Sequence, residues 1–152
     1  SATTFSPNKT TTRAEFVTVL GRLAKINPSK YPKAKQVDIQ EGSYYQDYVN
    51  WAIAEGIVKG TDANHFSPDQ KITREEVATI LARYLGKQGK LKSKQVGQSY
   101  QDQEQISPWA KEAVRKMTEA GIFKGQDKGK FAPKKSLTRA EFAQVITKIE
   151  AF

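Results

Sequence analysis

Phe66-Ser67-Pro68-Asp69-Gln70-Lys71-Ile72-Thr73-Arg74-Glu75-Glu76-Val77 decides the fold, because the pattern it carries occurs three times in 152 residues. Phe5-Ser6-Pro7 and Phe131-Ala132-Pro133 match its start, and Thr12-Arg13-Ala14-Glu15-Phe16 and Thr138-Arg139-Ala140-Glu141-Phe142 match its end. The arginines lie 61 and then 65 residues apart. Self-similarity at such a period is the signature of a repeat architecture.

Working outward, each arginine opens a segment with apolar residues at i, i+3, i+4 and i+7: Phe16, Val19, Leu20, Leu23; Val77, Ile80, Leu81, Tyr84; Phe142, Val145, Ile146, Ile149. That spacing is one face of an α-helix. Thr12 with Glu15, Thr73 with Glu76 and Thr138 with Glu141 have capping-box spacing, in which the hydroxyl accepts from the N3 amide and the glutamate returns to the cap amide. The capping box accounts for these six residues as structural.

Upstream of the second and third copies a further helix is expected. Tyr45, Tyr48, Val49 and Ala52 align with Ala110, Ala113, Val114 and Met117, and Ser107 is read as an N-cap ahead of Pro108. Both helices should stop at a left-handed glycine, Gly56 or Gly121, followed by isoleucine. Between helices, Asp62-Ala63-Asn64 and Asp127-Lys128-Gly129 are turn chemistry. At least five helices are expected, near 12 to 25, 44 to 55, 73 to 86, 107 to 120 and 138 to 150, in an all-α chain with almost no sheet.

Composition narrows the function. The chain has no cysteine, which excludes disulfides and thiolate sites. Twenty-five basic against 16 acidic residues give a net charge of +9, a field that favours polyanions. No stretch is apolar for the ~20 residues that a bilayer span needs, and Ser1 to Thr4 lack a signal-peptide pattern, so the chain reads as soluble and as processed or excised. No catalytic constellation repeats with the modules, and neither Asp62 nor Asp127 has the further oxygens of a calcium loop, so no enzyme, cofactor or metal site is expected. The lysines are scattered and no nucleic-acid motif occurs, so nucleic acid is not an expected partner.

Together, a helix, Gly-Ile-x-Lys-Gly, an Asp-x-(Asn/Gly)-x-Phe-x-Pro loop and a Thr-Arg-x-Glu helix start resemble the S-layer homology repeat. Two complete copies cover 37–86 and 100–151, and a half copy covers 1–26, the three forming one compact domain. The resemblance implies repeated helix-loop-helix units in a pseudo-threefold arrangement around a central bundle. It also implies a secreted anchoring module of a bacterial, Gram-positive cell wall or S-layer, which binds an anionic, pyruvylated secondary cell wall polysaccharide in grooves between repeats. Arg13, Arg74 and Arg139 take the place of the family's principal ligand contact. The alternative function is a structural protein–protein module in surface-layer assembly.

The residues themselves leave roles open. Each arginine sits at N1, where a cation opposes the helix macrodipole by roughly 0.3 to 1 kcal/mol, so either a bound anion or a local acid such as Glu75 is expected to compensate. Truncation of Arg74 or Arg139 is expected to be as mild for stability as at ordinary surface positions. Gly60 and Gly125 let backbone approach a sugar or satisfy a turn. Tyr44 and its counterpart Trp109 stack on a pyranose ring or pack in the core. His65 is expected to be solvated. Because the first copy lacks its leading helix, the face of Phe16, Val19, Leu20 and Leu23 should be covered by other repeats or by a neighbouring chain.

Overall fold

The computed structural model describes residues 9–91, 99–124 and 129–151. Among them are five α-helices, α1 (Arg13–Leu23), α2 (Gln46–Ala54), α3 (Arg74–Lys87), α4 (Lys111–Glu119) and α5 (Arg139–Glu150), and no strand. Short 3₁₀ turns cover Pro28–Lys30, Gln103–Gln105 and Pro108–Ala110. Phe5-Ser6-Pro7, Gly125 and Asp127 lie outside the described residues.

Three of the helices begin as their sequences dictate. Thr12, Thr73 and Thr138 are extended N-caps, and each forms both arms of a capping box with Glu15, Glu76 or Glu141. α2 and α4 end alike. Gly56 and Gly121 take φ of 70° and 77°. Ile57 N–H reaches the Ala52 carbonyl at 2.9 Å and Ile122 N–H reaches Met117 at 2.9 Å, which is the Schellman arrangement. The start of α4 differs from expectation. Ser107 caps nothing with its side chain, because both its amide (2.9 Å) and its hydroxyl (2.7 Å) donate to the Glu75 carboxylate. Residues 108–110 accordingly form a 3₁₀ turn and α4 starts at Lys111.

The chain divides into two compact units, Thr11–Lys71 and Ser1–Thr10 with Ile72–Phe152. These boundaries cut across the sequence repeats. In the first unit α1, from the half copy, packs on α2 of the next copy. The two helices come close at Gly21, where a Cβ would stand 2.4 Å from Cδ1 of Tyr48. Phe16 and Leu20 are fully buried while Val19 and Leu23 are half-buried, so the face of α1 is covered largely as expected. In the second unit α3 packs on α4 and on the 3₁₀ turn before it. α1 and α3 therefore each find a helical partner in the following copy.

Candidate functional site

The loops and the helix starts meet in one repeated way. Within the first unit the Arg13 amide donates to the Gln70 carbonyl at 2.9 Å; within the second, the Arg74 amide donates to Lys135 at 2.9 Å and the Arg139 amide to Lys9 at 2.8 Å. Gln70, Lys135 and Lys9 each stand four residues after the phenylalanine of a loop motif. Isolated antiparallel bridges accompany them, Thr12 with Lys71, Thr73 with Ser136 and Thr138 with Thr10.

Two arginine side chains are buried in these junctions, each 4% exposed. Arg13 donates from Nε to the Phe66 carbonyl (3.0 Å) and from Nη2 to the Lys59 carbonyl (2.8 Å), and its guanidinium lies 4.9 Å from the centre of the Phe66 ring. Arg74 donates from Nε to the Phe131 carbonyl (2.8 Å), forms an ion pair with Glu141, and stands 5.0 and 5.1 Å from the rings of Phe131 and Phe123. Burial lowers the Arg74 pKa and Glu141 works against that shift; a guanidinium stays charged regardless. Carbonyl oxygens, aromatic faces and, for Arg74, a capping glutamate supply the negative surroundings that a cation at N1 lacks. Arg13 and Arg74 are thus not surface residues, and the expectation that truncation of Arg74 would be mild is corrected. Arg139 is half-buried.

The loop has a second anchor that the sequence reading missed. The carboxylate of Asp38 accepts the amides of Phe66 and Ser67, both at 2.8 Å, and that of Asp102 accepts those of Phe131 and Ala132, both at 2.8 Å. Ser67 and Ala132 carry φ of 62° and 58°, the left-handed region that non-glycine residues seldom enter. The paired amides hold them there. Asp38 and Asp102 fall one residue off the common 65-residue offset, and that displacement hid them.

Of the remaining candidates, Gly60 is fixed by loop closure. A Cβ there would lie 2.2 Å from the His65 carbonyl oxygen, the same oxygen that takes the Thr61 amide at 2.9 Å. Asp62 forms the expected turn, accepting the Asn64 amide at 2.8 Å, and also pairs with His65 at 2.9 Å; both side chains are largely in solvent. Among the described residues no cluster of three His, Asp or Glu is placed to hold a metal ion. Tyr44 and Trp109 are 57% and 58% exposed, so neither belongs to the core.

Residues 37–78 and 99–143, together more than half of the chain, match the S-layer homology domain. The chain belongs to the S-layer homology family. It is 35% identical over 145 residues to an amylopullulanase of Thermoanaerobacterium thermosulfurigenes, covering 95% of this chain and 8% of that protein. Identity is 34% over 149 residues to an S-layer protein of Bacillus thuringiensis subsp. finitimus, covering 96% and 17%. It is 40% over 91 residues to a cellulosome-anchoring protein of Acetivibrio thermocellus, covering 60% and 20%. The chain therefore spans no more than a fifth of these relatives. What the S-layer homology chain shares with relatives that bear enzyme names is this region, an anchoring module of bacterial cell-surface proteins rather than a catalytic one. Among the described residues no helix is long and apolar enough to cross a membrane.

Proposed function

We propose that the module holds its parent protein on a Gram-positive cell wall by binding an anionic, pyruvylated secondary cell wall polysaccharide. The observation that carries this reading is the pair Tyr44 and Trp109, one aromatic ring at the same place in each complete copy, more than half in solvent. Burying such a ring in water-free contact is worth about 1.5 to 3 kcal/mol, so its exposure fits a surface that is covered by a ligand. The apolar C–H face of a pyranose is such a cover. A net charge of +9 suits an acidic polymer.

In this reading Arg13 and Arg74 shape the loops from beneath, Arg139 is the most accessible of the three arginines, and Gly60 keeps its loop tight. The reading includes a pseudo-threefold order of the copies. The recurring helix-start hydrogen bond supports that order: the first arginine takes the second loop, the second takes the third, and the third takes the first. Co-sedimentation with purified pyruvylated wall polysaccharide, with the depyruvylated polymer and with DNA as comparisons, tests the function. Retention on the pyruvylated polymer is expected; retention on DNA alone overturns the reading.

A further inference from the structure

The two complete copies present an aromatic at the same place in different electrostatic settings. Trp109 aligns with Tyr44. Around it, Lys111 stands where the other copy has Gln46, and Lys134-Lys135 stands where the other copy has Asp69-Gln70. The exchange turns a singly acidic surround into a basic one.

The geometry shows how the difference is built. Lys134, with 60% of its side chain in solvent, places its ammonium 2.8 Å from Glu75 Oε2 and in hydrogen-bond contact with the Ser107 hydroxyl, two residues before Trp109. The Glu75 side chain is 3% exposed. The pair therefore turns its positive end to solvent and keeps its negative end inside, beside the 3₁₀ turn that carries the indole. None of the three members exists in the first unit, where Ala14, Gly42 and Asp69 take their places. There burial, then the nearby carboxylates of Glu15 and Asp69, push the pKa of the Tyr44 hydroxyl upward. Glu15 has its counterpart in Glu76, so what separates the two settings is the Asp69 carboxylate near Tyr44 against the pinned Lys134 ammonium at the turn that carries Trp109.

Resting on the proposed function, we infer that the Trp109 face, with Lys134 as its specificity-determining residue, takes the acidic sugar of the polymer, and that the Tyr44 face takes an uncharged sugar. Stacking on the indole supplies affinity that does not depend on charge, and the fixed ammonium supplies discrimination. A lysine held by Glu75 and Ser107 has already lost much of its rotamer freedom, so less is lost on binding.

Titration calorimetry with a pyruvylated wall polysaccharide and its depyruvylated form, on the full chain, tests this. Trp109→Ala should weaken both polymers tenfold or more. Lys134→Gln should weaken only the pyruvylated one, by three- to tenfold, and so erase most of the preference. Asp69→Lys, at an exposed position, should strengthen the pyruvylated polymer by a similar factor. Thermal melts accompany each variant, and Trp109→Ala and Asp69→Lys alter exposed side chains only, so the outcome stands even where Lys134→Gln melts early. If the wild type binds neither polymer, the proposed function fails and this inference with it. If the wild type prefers the pyruvylated polymer while these variants keep both affinities, the inference alone is overturned.

Discussion

An arginine at the first position of a helix opposes the macrodipole, and the chain places one there three times. For Arg13 and Arg74 the following copy answers with carbonyl oxygens and a phenylalanine face, so the guanidinium locks a loop to a helix start. Replacing Arg74 with alanine strands the Phe131 carbonyl and removes the ion-pair partner at Oε2 of Glu141, a carboxylate only 18% exposed. A loss of about 2 to 4 kcal/mol is expected from the melting transition, and lysine should recover little, since a point charge cannot serve a carbonyl, a carboxylate and two rings at once. His65, the only histidine in the sequence, makes a second residue-scale test. Its hydrogen bond to Asp62 raises its pKa above the ordinary 6.5, while the Asn64 amide, and then His65, lower that of Asp62. The raised histidine contributes stability that is present below its unfolded pKa and lost as pH rises through the folded one. The depressed aspartate contributes above its unfolded pKa and loses it as pH falls through the folded one. The turn is thus held most firmly between the two, and an NMR titration of the imidazole should show the raised pKa returning toward 6.5 in Asp62→Asn.

At the scale of elements, the loop motif depends on a residue that it does not contain. Asp102 is 7% exposed and its carboxylate takes two successive amides, which lets Ala132 stay left-handed. Asp102→Ala should cost about 2 to 4 kcal/mol, one buried and one partly buried donor being left without the carboxylate. Ala132→Gly should do the opposite. Glycine enters φ near 58° without a Cβ penalty of about 1 kcal/mol, and a gain of a few tenths to 1 kcal/mol in denaturant unfolding is expected, net of the freedom glycine adds to the unfolded chain. The helices, their caps and their glycine stops were legible in the sequence because each is set by residues within one or two turns of one another. The arginine clamps and the aspartate anchors were not, since Arg13 and Phe66, or Asp38 and Phe66, meet only through the tertiary fold. For the same reason the serine at 107 read as a cap: nothing local announced that Glu75 would claim its hydroxyl. Of the candidate site, the aligned aromatics were visible as a pair but their exposure was not, because core and surface aromatics look alike in a one-dimensional pattern.

For the whole molecule, the compact unit and the unit that repeats are different stretches of chain. The repeat runs from 37 to 86 and contains α2, its loop and α3, yet α3 packs on α4 and Arg74 takes its partners from Phe131 and Glu141. The compact unit runs from Thr11 to Lys71, with α1 on α2, Arg13 between the Phe66 and Lys59 carbonyls, and Asp38 on the amides of Phe66 and Ser67. Two fragments of similar length therefore separate the two meanings of a module. Fragment 11–71 holds every partner of its buried arginine that is named above and should show helical circular dichroism with a cooperative melt, though a shallow one, since a domain of this size buries only about 60% of the surface its unfolded chain exposes. Fragment 37–86 holds α3 without its helical partner, leaves Arg74 without the carbonyl and carboxylate that surround it, and keeps Phe66 without the guanidinium over its ring. Little ellipticity at 222 nm and no cooperative melt are expected of it. A folded 37–86 beside an unfolded 11–71 would mean that the sequence repeat is the folding unit after all, and that the clamp between consecutive copies is a consequence of folding rather than part of what drives it.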